Sequence, residues 1–260
     1  MRILRLEVQG WARFDGLVHG FFGRSGGRSR PPYASLNLSY DNGDDAGIVT
    51  RNWCDLKQSI GLHDLTVVTA KQVHGDEILK VSSATGRSAG TADGLMTDAP
   101  NVFVGVMAAD CVPLLFLEPK RKVVAAVHAG WRGTAAGIAA TAIARMTEEY
   151  GIDLTALHVA MGPSIGPCCY QVGNEVAEQI GANWEEAVRS AWRPEGAKGW
   201  LDLRAVNEAQ LVALGVPQPQ IRQLGVCTAC NVEDFFSYRK EGKTGSQLSF
   251  IGWLPSSRVG

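Results

Sequence analysis

The chain has 260 residues, 45% hydrophobic and 20% charged, with a formal net charge of −1. That balance suits a globular protein with a sizeable core. A charge this close to zero leaves no electrostatic footprint for nucleic acid or an anionic membrane, while a small neutral or anionic substrate stays open.

At the N-terminus, Met1-Arg2-Ile3-Leu4-Arg5-Leu6-Glu7 places charges where an export leader needs an apolar run. No stretch of about 18 apolar residues follows to span a bilayer. Six cysteines in a large, core-rich chain then predict reduced thiols and a cytoplasmic location. Residues 2–9 and 17–22 read as strands around a turn at Arg13-Phe14-Asp15-Gly16. Residues 23–35, GRSGGRSRPPYAS, compose a loop, either a plain surface segment or a lid whose Arg24, Arg28 and Arg30 could meet an anion. Residues 35–39 alternate and predict a short strand. Asp44-Asp45 caps a helix over residues 46–60 that stops near Gly61. Residues 66–69 are strand-like and lead into Lys71-Gln72-Val73-His74-Gly75, with residues 76–81 as the strand returning from the turn at Gly75.

Residues 92–98, ADGLMTD, read as a polar turn. Residues 101–133 then carry three apolar strand runs. The first stops at Ala108-Ala109-Asp110-Cys111, and the third at His128. An Ala-rich helix follows from residue 134 to residue 150, with Gly151 as its stop. Residues 157–161, 221–226 and 247–253 read as strands, and residues 174–192 and 202–214 as helices. With no repeat and no linker, residues 1–260 predict one layered α/β domain with mixed β-sheets flanked by helices. The sheets are mixed because several neighbouring strands are joined by turns too short for parallel crossovers.

His74, Cys111 and His128 each end a strand-like run, where α/β proteins place their sites. Two imidazoles and a thiolate supply the three ligands of a catalytic zinc site with one open position. Singly, each has a blander explanation: a hydrogen-bonded structural histidine, or a buried cysteine acting as a small hydrophobe. Cys227-Thr228-Ala229-Cys230 supplies half a structural zinc site, but no second CxxC exists, and Cys168-Cys169 are adjacent. These four are read as lining or supporting the pocket in preference to a second metal site. HAGWRGTAAGI leaves a strand and enters a helix, and its free backbone N–H groups suit phosphate or carboxylate, with Arg132 adding a charged fork. It has neither the lysine of a P-loop nor a GxGxxG pattern.

AADCVPLLF, VHAGWRG, KQVHGDEI, MGPSIGPCCYQVG, SLNLS and CTACNVEDFFSYRKEGKTG together resemble the YfiH family. It is also called the laccase-domain or multicopper polyphenol oxidase family, and is now described as a purine nucleoside phosphorylase family. The resemblance covers residues 17–254. It implies zinc on His74, Cys111 and His128, phosphorolysis of adenosine, inosine and methylthioadenosine, and hydrolytic deamination of adenosine. It also implies a layered fold similar to the catalytic domain of cytotoxic necrotizing factor toxins. Where the family commonly has Arg after the C-terminal Thr-Gly, this chain has Ser246.

Under that resemblance, Arg132, Gly130 and the 129–133 backbone are the candidates for holding phosphate. Asp110 is the candidate for orienting a ligand or moving a proton. Arg51 and Asn37 are candidates for substrate contact, and Glu77 for the acid–base group of deamination. Three alternatives stand beside it. A copper oxidase would use the same His/Cys/His set with Met107 or Met161 as a weak axial ligand, although five histidines are too few for a trinuclear copper cluster. A metal-free hydrolase or deamidase would use Cys111 as nucleophile and His128 as base. A nucleotide-binding protein would bind tightly without turnover. The oligomeric state is open at this stage.

Overall fold

The strand runs of this chain are apolar on both faces, which is the pattern of sheets covered on two sides. The computed structural model describes residues 3–62, 66–83 and 86–255. Its elements begin with β1 (Arg5–Leu6), β2 (Leu17–Phe22), α1 (Ala46–Ser59), β3 (Thr66–Lys71), β4 (Ile78–Lys80) and β5 (Ser88–Thr91). The centre holds β6 (Gly94–Thr97), β7 (Val102–Ala108), β8 (Val112–Glu118), β9 (Val123–Ala129), α2 (Trp131–Ala136), α3 (Ile138–Tyr150) and β10 (His158–Met161). Then come β11 (Gln171–Gly173), α4 (Asn174–Ala191), β12 (Trp192–Glu195), β13 (Lys198–Leu201) and α5 (Leu203–Ala213). β14 (Ile221–Gln223), α6 (Tyr238–Glu241) and β15 (Gln247–Trp253) close the chain.

Two six-stranded sheets form, in the orders β1-β2-β15-β7-β3-β5 and β14-β10-β8-β9-β6-β4, beside a small sheet β11-β13-β12. Both large sheets are mixed. In the first, β7 pairs antiparallel with β15 and parallel with β3. In the second, β10 pairs antiparallel with β8 and parallel with β14.

The sheets pack face to face, and the alternation of side chains shows it. Leu115 and Leu117 of β8 and Val124 and Ala126 of β9 meet Val104, Val106 and Ile251 of the first sheet. The opposite faces of the same strands, Leu114, Phe116, Ala125 and Val127, meet α3, α4 and α5. On the far side of the first sheet, Phe103, Leu248 and Phe250 pack on Leu56 and Trp53 of α1. Each fully buried Leu or Phe contributes about 1.5–3 kcal/mol, so a strand apolar on both faces gains from both layers. Among the described residues, no helix is long and apolar enough to cross a membrane.

The helix over 46–60 is observed as α1, and Asp45 caps it by accepting from the Ile48 N–H at 2.8 Å. Other boundaries differ from expectation, each for a physical reason. Residues 35–39 form no strand, because Leu36, Asn37 and Leu38 are all buried and side-chain hydrogen bonds hold the segment. Residues 76–81 do not return onto β3: β4 pairs parallel with β6 in the other sheet. The expected polar turn at 92–98 is buried strand β6, its Thr97 hydroxyl donating to the Val81 carbonyl at 2.6 Å. The helix after β9 starts at Trp131 and breaks at Gly137, whose φ of 85° no side chain adopts easily and whose missing Cβ lets Trp184 approach. The small sheet was hidden in what read as a helix end and a loop.

Candidate active site

Asp93 organises the site, and the polar-turn expectation for its segment missed it. The antiparallel register of β6 and β9 pairs Gly94 with Val127, which sets Asp93 across from His128. The Asp93 carbonyl accepts the His128 backbone N–H at 2.7 Å. Its fully buried carboxylate accepts from the backbone N–H groups of Val73 (3.0 Å), His74 (3.0 Å) and Gly75 (2.8 Å). The same carboxylate lies 2.8 Å from His128 Nδ1. Three amides folded around one carboxylate hold His74 at φ 61°. That left-handed conformation costs a non-glycine residue roughly 1–2 kcal/mol.

Cys111 enters from the short connection between β7 and β8. Val112 pairs with Ala129, so Cys111 faces Gly130 across the strand ends. The ligand atoms of His74, Cys111 and His128 all lie within 4.8 Å of one another. Cys111 Sγ is 4.0 Å from His74 Nε2, and the two imidazoles meet edge-on with ring centres 4.9 Å apart.

The glycines of HAGWRG explain the close approach. A Cβ on Gly130 would lie 2.9 Å from His74 Cδ2 and 3.2 Å from Cys111 Sγ, filling the cradle between the three side chains. A Cβ on Gly133 would lie 2.8 Å from the Gly75 carbonyl, pushing away the turn that carries His74. The donor set, the cradle and a carboxylate on the far nitrogen of one histidine all fit a metal ion, with His74, Cys111 and His128 as the residues that could hold it.

The electrostatics follow from burial and pairing. Burial alone would raise the Cys111 thiol, but the charge of His128 and hydrogen bonds from His128 and His74 outweigh it and bring the thiol to about 6. Burial works against the charged form of His128 too, yet the Cys111 thiolate and the Asp93 hydrogen bond raise it to about 9. As a bare pair, Cys111 and His128 are therefore thiolate and imidazolium near neutral pH. Asp93 is held below the usual carboxylate range: burial opposes this, and the His128 bond and the amides of Val73 and Gly75 prevail.

The triad opens into a cavity of about 500 Å³. His74, Asp110, Cys111, His128 and Ser246 line it, together with Gln72, Tyr40, Asp41, Tyr170, Tyr238 and Arg239, which sequence reasoning did not single out as site residues. Ser246, the position where the resemblance leads one to expect Arg, thus faces the cavity. Arg239 is the one arginine or lysine among the described lining residues. Its backbone N–H donates to Asp110 and its Nη1 to the Gln171 carbonyl at 2.7 Å. A sequence signal existed: Ser237 caps the short α6 that carries Tyr238 and Arg239.

Other candidates fall elsewhere. Both Asp110 oxygens are engaged, by the Thr228 hydroxyl and the Arg239 N–H, each at 2.6 Å. Asn37 is fully buried outside the cavity, where its amide braces Ser39, Asn42, Asp44 and Ser246. Arg51 is exposed on α1, and Glu77 is exposed beyond β3; neither lines the cavity. Arg132 is exposed over the Trp131 ring, 4.4 Å from its centre, and does not line the cavity. Arg24 and Arg28 pin the 23–35 loop, Arg24 to the Val232 carbonyl and Glu241, Arg28 to both oxygens of Asp55. Met161 is buried in the helix-side core away from the triad, whereas Met107 lines the cavity.

A His/Cys/His group backed by a buried carboxylate, at the floor of a cavity in a mixed-sheet α/β fold, defines an enzyme site that can hold a metal ion. The family model described as multi-copper polyphenol oxidoreductase laccase matches residues 18–254, and the chain belongs to that family. The purine nucleoside phosphorylase YlmD of Geobacillus stearothermophilus is 38% identical, covering 96% of this chain and 97% of its own. The crystal structure of Bacillus licheniformis YfiH superposes with a TM-score of 0.90 at 35% identity, over 96% of both chains. That of Geobacillus stearothermophilus YlmD gives 0.87 at 34%, over 98% of this chain and 97% of the other.

Proposed function

We propose that the chain is a zinc-dependent purine nucleoside phosphorylase acting on adenosine, inosine and methylthioadenosine, with adenosine deaminase activity, working as one cytoplasmic catalytic unit over residues 1–260. The observation that carries this reading is the convergence of His74, Cys111 and His128 on a cavity wide enough for a nucleoside. Similar proteins named purine nucleoside phosphorylase, YlmD among them, support the reaction class.

In phosphorolysis a phosphate oxygen bonds to C1′ while the C1′–N9 bond breaks, and the purine leaves with the electron pair and takes a proton. Arg132, Gly130 and the 129–133 backbone are the proposed phosphate holders: Gly130 borders the cradle between His74 and Cys111, and Arg132 is exposed on the turn beside it, outside the cavity lining. Tyr170 and Tyr238 line the wall against which a flat base packs. Asp93 fixes the His128 ring by holding Nδ1, leaving Nε2 toward the cradle. Asp110 is a positioning residue that ties the 228 loop and α6 to the end of β7. His74, Cys111 and His128 would hold a zinc ion, which would supply Lewis-acid polarisation when bound. Deamination uses the same cradle. Glu77, exposed and outside the cavity lining, is given no part in this reading.

Copper oxidation of phenols, which the family description names, needs more imidazoles than this site has. Among the described residues His19 is buried against the Val8 N–H, and His158 packs tilted against Phe14. A second reading draws on the Cys111–His128 ion pair, ready-made for nucleophilic attack by Cys111. One experiment separates them: metal content together with phosphate-dependent release of hypoxanthine from inosine, before and after chelation. One zinc in the triad, with turnover lost on chelation, is expected. Phosphate-dependent turnover that survives chelation and dies on thiol alkylation would overturn the zinc mechanism and make Cys111 the nucleophile. Copper binding with phenol oxidation and no nucleoside turnover would restore the oxidase.

A further inference from the structure

Four cysteines take no part in the triad, and the fold gathers them. Cys168 and Cys169 lie in the turn after β10, and Cys227 and Cys230 in the loop after β14. These strands are parallel neighbours, Met161 opposite Gln223, so their C-terminal loops leave side by side. A parallel bridge between Ser164 and Cys227 extends the pairing, with Thr228 N–H donating to the Ser164 carbonyl at 3.1 Å.

The sulfurs converge. Cys168 Sγ is 3.5 Å and Cys169 Sγ 3.4 Å from Cys230 Sγ, and all four sulfurs lie within 4.8 Å of one another. None is in a disulfide. Four thiolates around one zinc ion, each at about 2.3 Å, stand about 3.8 Å apart at the corners of a tetrahedron. The two shortest separations, 3.4 and 3.5 Å, fall a few tenths of an ångström short of that value, and the 4.8 Å limit on the whole set leaves room for the rest. A disulfide requires sulfurs about 2.05 Å apart, and a multi-iron cluster spreads its cysteines wider because sulfide-bridged metals stand between them. Adjacent cysteines on a strand would point to opposite faces; here the turn brings both to one point.

We propose that Cys168, Cys169, Cys227 and Cys230 form a second, structural metal site for one zinc ion, and that it clamps one wall of the active-site cavity.

The surroundings suit a thiolate set. The Gly166 N–H donates to Cys227 Sγ at 3.2 Å. The buried Arg204 brings a cation alongside: a Cβ on Gly166 would lie 3.0 Å from Arg204 Nη2 and 3.4 Å from Cys168 Sγ. Four thiolates around a divalent ion leave two negative charges, which a neighbouring guanidinium offsets. Four protein ligands leave no open position, the mark of a structural site.

The clamp lies against the cavity. Ile165 and Tyr170, on either side of the Cys168-Cys169 pair, line it. Thr228, between the other two cysteines, donates its hydroxyl to Asp110. The sequence concealed the site because its halves are a CC pair and a single CxxC, not two CxxC loops.

The test counts metal on the full chain purified in the presence of zinc, by native mass spectrometry and elemental analysis. It compares wild type, His74→Ala/Cys111→Ala and Cys168→Ser/Cys230→Ser. Two zinc ions in wild type and one in each variant are expected. Cobalt loaded into the His74→Ala/Cys111→Ala variant should show thiolate-to-cobalt charge-transfer absorption of four-thiolate intensity. If the cysteine variant fails to fold, that spectrum alone decides. Wild type with one zinc that survives in His74→Ala/Cys111→Ala supports this site while removing the triad metal. No metal in that variant, or a reversible disulfide from Cys230 to Cys168 or Cys169 in its place, would overturn the proposal.

Discussion

Asp93 and His128 are joined twice, carboxylate to Nδ1 at 2.8 Å and carbonyl to backbone N–H at 2.7 Å. One buried residue thus fixes the place of the His128 backbone and the direction of its ring, while its carboxylate also shapes the turn that presents His74. Loss of such a partner typically weakens metal affinity 10–100-fold. Asp93→Asn should show that loss in a zinc titration, with a stability decrease of about 1–3 kcal/mol from amides left poorly satisfied. Wild-type zinc affinity in a folded Asp93→Asn protein would show that the carboxylate does not orient the site.

Gly130 has ordinary backbone angles, φ −72° and ψ 168°, so alanine there brings no backbone strain. Its methyl would enter the cradle 2.9 Å from His74 and 3.2 Å from Cys111. Overpacking of this kind costs about 1–3 kcal/mol. Gly130→Ala should therefore lower metal affinity and turnover about tenfold or more while far-UV circular dichroism is unchanged. Full activity in this variant would mean that the three side chains do not act together.

His19 offers a pH test remote from the site. It is buried, its Nε2 accepts the Val8 N–H at 2.9 Å, and burial with the nearby charge of Arg5 lowers its pKa from 6.5 to about 4. As pH falls below 6.5 the unfolded chain takes up a proton that the folded one refuses, so stability drops until the pH nears 4. The total loss is on the order of 3 kcal/mol. Denaturant unfolding across that range should show it in wild type and a flatter profile in His19→Gln. Equal slopes in the two proteins would assign the acid sensitivity to other groups.

Arg132 and Arg51 make a matched pair, since both are exposed and outside the cavity lining, but only Arg132 sits on the turn that follows His128. A charge-assisted hydrogen bond to an anion contributes about 1.5–3 kcal/mol. Arg132→Ala should raise the phosphate KM roughly 10–100-fold, and Arg51→Ala should leave it near wild type. The reverse pattern would move the phosphate from the 129–133 turn to α1.

The order of strands and helices was largely legible in the sequence, because runs such as β7, β8 and β9 are apolar enough to announce themselves. So were the ends of those runs at Cys111 and His128, where turn residues interrupt the apolar pattern. The resemblance carried by several separate motifs already pointed to His74, Cys111 and His128 as one group. What the chain could not show by itself was pairing. β6 looked like a polar turn because Asp93 and Thr97 flank its short apolar centre, and only burial between neighbours turns those polar groups inward. Asn37 looked like a substrate contact because an amide carries no mark of which bonds it will make; in the fold all of them go to neighbouring loops. The cysteines of the CC pair and the CxxC loop lie about sixty positions apart, and nothing local brings them together. Apolar periodicity is written along the chain, whereas the meeting of polar and sulfur atoms depends on strand register and on loops leaving adjacent strands, which the packed tertiary structure alone decides.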